Sequence, residues 1–440
     1  MLASILSTLC ALAPCTHADR PAQVPARIGH AAVVARAAPA ARTAPIARAA
    51  QISTAVLQGH LDHELALAGS LSGAYVYDLS TAQPLFSMRA EDERPPASVE
   101  KLYTATTALE RLGPAARLET TVLGVGRLAP GGIWEGSLYL RGGGDPTFGT
   151  SAFIASHYGG LGTSVATLVA QLVRVEGIHS VTGGIEGDES YFDSLRGEPS
   201  SGYRPDPFLE GTLSALAFDR GASGSFGGSH APAAYAAHEL LLALKSAGVA
   251  VRGHSGAATA PAGATRLAVA QSPTIAQLLG LTLPPSDNFF AETLLKDLGA
   301  RFAGAGTTAA GARVVRETLA GLGLHPHVVD GSGLSRADET SPLQVVTLLK
   351  ALAPTTLGTT LRGDMAVAGH SGTLSERMRG TAAAGRCQGK TGTLTGVSNL
   401  AGYCQDAAGQ YLAFAFFTDG ISIEAAHTLQ DNMAITLADY

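Results

Sequence analysis

The sequence predicts an α+β fold: an antiparallel sheet covered by helices, with a large unit inserted into it. Two features of the 440-residue chain carry this prediction. The outer parts supply a helix, two strands and a helix, and later three consecutive strands with a closing helix. Between them lie roughly 150 residues with strands and helices of their own, enough for a separate unit. Composition agrees with a packed body, since 46% of residues are hydrophobic and 15% charged.

Residues 2–13 form a short apolar stretch, followed by the small-residue site Thr16-His17-Ala18. That is the pattern of a secretory signal over residues 1–18, and it predicts an exported protein, periplasmic or extracellular. Residues 19–52 are rich in Ala, Pro and Arg and read as a linker, because they hold too little bulk to offset chain entropy. Apolar residues at helical spacing follow over 54–68, then strands over 73–79 and 84–88. A helix begins at Ser98 and stops at Gly113-Pro114. Residues 118–141 read as two strands joined at Pro130-Gly131-Gly132. Helices are expected over 163–175 and 233–247, and another after Ser286. Strands over 386–394, 397–404 and 411–417 precede a last helix from about Ser422. The domains read from this are 53–114 with 264–440, and an insert over 115–263.

Charge and hydropathy exclude two classes of partner. A net charge of −6 argues against a nucleic-acid binder, which would show a basic face. No run of eighteen apolar residues encodes an ordinary transmembrane span.

Three short motifs carry chemistry. Ser98-Val99-Glu100-Lys101 sets a hydroxyl and an amine three apart on one helical face. A neutral lysine there can take the serine proton and make it a nucleophile. The start of the helix also offers backbone N–H groups to a developing oxyanion. Taken alone, Ser98 reads better as a helix cap, and only the other motifs turn the balance. Ser286-Asp287-Asn288 opens the next helix, with a hydroxyl to relay a proton and an amide to hold a substrate carbonyl. Lys390-Thr391-Gly392-Thr393 lies in a strand, where a cation, hydroxyls and a glycine suit a peptide pairing with the edge and presenting a carboxylate. Gly389-Lys390-Thr391 imitates the end of a phosphate-binding loop, but Gly385 and Gly389 enclose three residues where that loop needs four. Two of the chain's few lysines fall in these motifs, and together they are far more specific than any one of them.

The order Ser-x-x-Lys, Ser-x-Asn, Lys-Thr-Gly is that of penicillin-binding proteins and serine β-lactamases. Leu140-Arg-Gly-Gly-Gly-Asp-Pro-Thr147, Asp330-Gly-Ser-Gly-Leu-Ser-Arg336 and Gly389-Lys-Thr-Gly-Thr-Leu-Thr-Gly-Val397 narrow the resemblance. From about Ser53 onward the chain resembles the class C low-molecular-mass penicillin-binding proteins, which are D-alanyl-D-alanine carboxypeptidases/endopeptidases. The resemblance implies the β-lactamase-like sheet with its inserted domain, and a serine DD-peptidase acting on peptidoglycan stem peptides without metal or cofactor. It implies Ser98 as the acylated nucleophile and Lys101 as its base, with Ser286 and Lys390 completing the proton and charge network. Asn288, Thr391, Gly392 and Thr393 would bind the peptide, the N–H groups of Ser98 and Thr393 would form the oxyanion hole, and β-lactams would be covalent inhibitors. Arg336, with an acid of the insert placed at Asp206, would hold a diamino-acid side chain; Asp206 reads equally well as a turn aspartate between prolines. Two departures stand out: Pro284-Pro285 precedes Ser286, and only a Gly/Ser stretch over 221–229 stands where relatives carry a further small domain.

Two rival functions share these residues, a β-lactamase or esterase on the same scaffold and a catalytically silent wall-binding protein. No His-Glu-x-x-His zinc motif and no Gly-x-Ser-x-Gly elbow occurs, so metalloprotease and ordinary α/β-hydrolase readings fall away. Asp145 after three glycines reads as a turn residue.

Finally, a two-residue turn at Thr395-Gly396 would set Leu394 opposite Val397, and the same register sets Cys387 opposite Cys404. An oxidising compartment would join them as a disulfide that braces the strand carrying Lys390.

Overall fold

The computed structural model describes residues 51–221 and 230–440. The expected signal, all but the last two residues of the expected linker, and most of the Gly/Ser stretch lie outside these residues.

Helix α1 (Thr54–Ala68) is capped by Ser53, whose hydroxyl accepts from Val56 N–H, and leads into strands β1 (Gly73–Asp78) and β2 (Gln83–Met88). A 3-10 turn over Ala97–Glu100 runs into α2 (Lys101–Arg111). Strands β3 (Glu119–Ala129) and β4 (Ile133–Arg141) form the expected hairpin, followed by α3 (Ser151–Tyr158) and α4 (Val165–Arg174). The short strands β5 (Ser180–Val181) and β6 (Ile185–Asp188) precede α5 (Pro232–Ser246). Strands β7 (Ala250–Val251), β8 (Ser255–Ala257) and β9 (Thr265–Gln271) complete this part. Helices α6 (Ile275–Thr282), α7 (Asn288–Phe302), α8 (Thr308–Ala320), α9 (Pro342–Leu352) and α10 (Thr356–Gly363) follow. The chain then forms β10 (Ala366–Val367), β11 (Cys387–Leu394), β12 (Val397–Gln405), β13 (Tyr411–Asp419) and α11 (Ile423–Asp439).

One sheet has the order β10-β11-β12-β13-β1-β2 and is antiparallel throughout. Strand β13 shows why both its faces are covered. Leu412, Phe414 and Phe416 join one core with Leu57 and Leu61 of α1 and Met433 and Leu437 of α11. Ala413, Ala415 and Phe417 join the other, with Leu102 of α2, Leu294 of α7 and Leu349 of α9. Period-2 alternation thus feeds two cores at once. Each large apolar side chain so buried contributes about 1.5–3 kcal/mol, and a one-residue slip would exchange the two sets.

The second sheet runs β7-β5-β4-β3-β9, with β6 on β4 and β8 on β6. Its core holds Leu168 and Leu172 of α4 and Leu240 and Leu244 of α5. Its last strand, β9, lies past residue 263, where the sequence reading ended the insert.

The hairpin register is the expected one: Leu394 faces Val397 and Cys387 faces Cys404. Gly396 takes φ +71° in the two-residue turn, a conformation glycine adopts without a Cβ penalty. Cys387 and Cys404 form a disulfide with their Cα atoms 4.0 Å apart. Their sequence separation of 17 means the bond restricts a short loop of the unfolded chain. Replacing both cysteines by alanine should lower unfolding free energy by about 3 kcal/mol, read from urea denaturation. Two alkylatable thiols in the unreduced protein would refute the pairing.

Candidate active site

The three motifs come together between α2, α7 and β11. Ser98 lies in the 3-10 turn before α2, not at a capping position; Pro96 precedes that turn and makes no side-chain cap. The Ser98 hydroxyl accepts instead from Lys101 Nζ, at 2.9 Å. Ala97, just before it, is held at φ +48°, a left-handed conformation unfavourable for a residue with a Cβ. Asn399 of β12 fixes that approach, its amide donating to the carbonyls of Pro95 and Pro96 at 2.9 Å each.

Lys101 is buried and its ammonium donates three hydrogen bonds. The acceptors are Ser98 Oγ, Asn288 Oδ1 at 2.6 Å and the Ser332 carbonyl at 2.7 Å. Glu292 sets the last of these, its Oε1 accepting from the N–H groups of Gly331 and Ser332 at 2.9 and 2.8 Å. Asp330 winds the same loop by accepting from Ser332, Gly333 and Ser335 N–H. A Cβ at Gly333 would fall 1.9 Å from the Ala97 carbonyl, so glycine lets this loop close against the Ser98 turn.

Burial lowers Lys101 to about 8, opposed by the carboxyl groups of Asp330, Glu292, Asp287 and Glu100. Burial beside Asp330 in turn pushes Glu292 up to about 8. Glu100 is raised well above the usual carboxyl range, first by burial and then by Asp330 and Glu292. The two lysines are lowered for different reasons, with desolvation acting on both. Desolvation is what lowers Lys101, and repulsion from Lys101 adds to the burial that holds Lys390 well below the ordinary lysine range.

Asp287 caps α7 by accepting from Phe290 N–H at 3.0 Å. Thr282 ends α6, and Pro284-Pro285 lead into Ser286, which is held at φ +66°. Ser286 Oγ accepts from Lys390 Nζ at 2.7 Å, and the same ammonium donates to the Thr391 carbonyl at 2.7 Å. Lys390 is buried, whereas Thr393 is exposed on the same strand. A Cβ at Gly392 would lie 2.5 Å from the Pro96 carbonyl and 3.1 Å from Ser98 N, so this glycine lets β11 press against the serine turn. Pairing with β10 stops at Gly389, leaving residues 390–394 with β12 on one side. Thr391 Oγ1 donates to Thr373 Oγ1 at 2.7 Å.

The remaining positions are more peripheral. Arg336 is exposed and donates to the Thr395 carbonyl in the β11–β12 turn. Asp206 caps a single 3-10 turn, accepting from Phe208 N–H at 2.7 Å, while the Phe208 carbonyl accepts from Asn288 Nδ2 at 2.7 Å. Asp145 is a turn residue, accepting from Thr147 N–H and Oγ1.

A family profile for the D-Ala-D-Ala carboxypeptidase 3 (S13) family matches residues 53–206 and 209–440. The chain belongs to that family. A D-alanyl-D-alanine carboxypeptidase of Actinomadura sp. (strain R39) is 33% identical, over 85% of this chain and 82% of its own. Penicillin-binding protein 4 of Haemophilus influenzae superposes with a TM-score of 0.69 at 21% identity, covering 87% of this chain and 98% of its own. The same protein complexed with a β-lactam gives 0.67 at 20% identity, with the same coverage. The fold is therefore that of the penicillin-binding proteins, and the chain is a peptidase of the S13 family.

Sequence reasoning missed several residues around this candidate site. Glu292 stands four residues after Asn288, one helical turn on, and that spacing could have flagged it. Asp330 and Ser332 lie in a segment used only for the resemblance. Asn399, Thr373 and Arg220 carry no local signal.

Proposed function

We propose that the chain is a serine DD-peptidase that hydrolyses D-Ala-D-Ala stem peptides of peptidoglycan through an acyl-Ser98 intermediate. One observation carries the reading: Lys101 Nζ bonds Ser98 Oγ and Asn288 Oδ1 together while Lys390 bonds Ser286. Neutral Lys101 takes the Ser98 proton as Oγ attacks the penultimate D-alanine carbonyl. The N–H groups of Ser98 and Thr393 receive the oxyanion. The tetrahedral intermediate collapses to the acyl-enzyme as the C–N bond breaks, and Ser286, backed by Lys390, relays the proton taken up by Lys101 to the departing D-alanine amine. Water then attacks the ester, its proton passing through Lys101 to the departing Ser98 Oγ, and the shortened peptide acid leaves.

Lys390, Thr391 and Thr393 face the terminal carboxylate, and the open side of β11 from 390 onward suits pairing with an extended peptide. Asn288 bridges Lys101 to the Phe208 carbonyl and is suited to hold the substrate amide. Arg336 and Asp206 are read as the peptide side-chain contacts, and cross-linked stems as further substrates. Penicillins mimic the acyl donor and would acylate Ser98; the β-lactam complex of the Haemophilus influenzae protein supports this. Residues 1–18 are read as a signal that exports the enzyme to the wall, 19–52 as a linker, and 53–114 with 264–440 as the catalytic domain around the insert at 115–263.

The test is incubation with fluorescent penicillin and, separately, with a peptide ending in D-Ala-D-Ala. Stable labelling at Ser98 with D-alanine release is expected. Rapid penicillin turnover would favour a β-lactamase, and no reaction with either would refute the enzyme reading.

A further inference from the structure

We propose that Arg220, supplied by the segment between the two halves of the catalytic sheet, is a positioning residue for Ser286 and Asn288, acting through Asp287. The proposal rests on the reading of those two residues as parts of the site.

The guanidinium of Arg220 donates from one nitrogen to both carboxylate oxygens of Asp287, at 2.7 Å each. The pair is withdrawn from water: the Arg220 side chain is 12% exposed and that of Asp287 is 9%. Arg220 also lies over the rings of Phe289 and Phe290, 5.1 and 5.6 Å from their centroids. The edge of the Tyr158 ring packs on Phe290 at 5.4 Å. A more exposed carboxylate, Glu210, stands 3.8 Å away.

Both ends of this link are held in left-handed backbone. Asp219 and Arg220 take φ +47° and +61°, and Ser286 takes +66°. Such turns persist only where their surroundings over-determine them. Thr150 N–H donates to Asp219 Oδ1 at 2.8 Å and Thr212 N–H to the Arg220 carbonyl at 2.9 Å, which ties the arginine turn down. Asp287 is thus held from the insert side, and through the backbone it holds Ser286 before it and Asn288 after it. Asn288 is the residue whose Oδ1 receives Lys101.

The second consequence is electrostatic. The charged or titratable groups that act on Lys101 are Asp330 and Ser332's neighbour Glu292, Asp287 and Glu100, with Lys390 on β11. Among the described residues, Asp287 alone of these is paired with a guanidinium. Arg220 cancels much of the field Asp287 would otherwise direct at Lys101, and so favours the neutral amine. Losing that charge should stabilise the protonated, incompetent form of Lys101.

The experiment compares full-length Arg220→Met and Arg220→Lys with the unaltered protein. Acylation by fluorescent penicillin and kcat/KM for a D-Ala-D-Ala peptide are measured from pH 6 to 10. For Arg220→Met both should fall by about 10- to 100-fold, the scale of a small misplacement of reacting groups. Its rising limb should move to higher pH. Arg220→Lys should keep the limb in place and recover part of the rate. Asp287→Asn approaches the pair from the other side, and should move the limb to lower pH even if Arg220→Met does not fold. A folded Arg220→Met with the original rate and limb would overturn the proposal. So would equal losses in both Arg220 variants with an unmoved limb, or an unmoved limb in Asp287→Asn. Labelling of the unaltered protein at Ser98 in the same series separates this failure from failure of the DD-peptidase reading, in which that label would be missing.

Discussion

Ser98→Ala should abolish penicillin labelling and reduce D-alanine release by on the order of 10⁵- to 10⁶-fold, the scale seen when a serine nucleophile is deleted. Among the described residues no other hydroxyl is bonded to Lys101, whose remaining partners are the Asn288 amide oxygen and the Ser332 carbonyl. The fold should survive. Ser98 caps no helix, and the hydrogen bond lost is one of three to the ammonium, costing about 1–2 kcal/mol. Intact-protein mass spectrometry after penicillin treatment reads the outcome directly. A covalent adduct on the variant would remove Ser98 from its role.

Acylation should rise with pH and level off near pH 8, with Lys101 as the titrating group. Its pKa is lowered to about 8 by burial, so below that pH the amine is mostly protonated and cannot accept the serine proton. The rate should climb close to tenfold per unit between pH 5.5 and 7, then flatten above about 8. Lys101→Met should remove the limb and lower acylation by about 10²- to 10⁴-fold, the usual range for a general base. Stopped-flow penicillin acylation avoids interference from deacylation. A flat profile between pH 6 and 9 in the unaltered protein would contradict the assignment of Lys101 as base. The same lowered pKa bears on stability with the same sign as a carboxylate of depressed pKa, but in a higher pH window. Lys101 binds fewer protons folded than unfolded, so its contribution to stability grows as pH rises from about 8 toward the ordinary lysine value of 10.5.

Much of the site was legible because its motifs are local. Ser98 and Lys101 are neighbours by helical geometry whatever surrounds them, and β11 carries Lys390 to Thr393 as one run. The hairpin register, and with it the Cys387–Cys404 pair, followed from a two-residue turn and the period of a strand. Helix α1 was visible in its apolar spacing, and so were the three strands before α11. Helices α8, α9 and α10 were not read, although Thr307, Ser341 and Thr355 each cap one of them in the ordinary way.

By itself, then, the sequence determined which local units form and which reactive groups each unit carries, because helix and strand periods act over a few residues. Only the tertiary structure decided the state of those groups. The carbonyl that receives Lys101 comes from Ser332, 231 positions away, and the amide from Asn288, 187 positions away. The left-handed conformations of Ala97 and Ser286 are held by packing and not by residue preference. Desolvation of Lys101 and Lys390 arises once α2, α7 and β11 exclude water together, and no single segment contains that property.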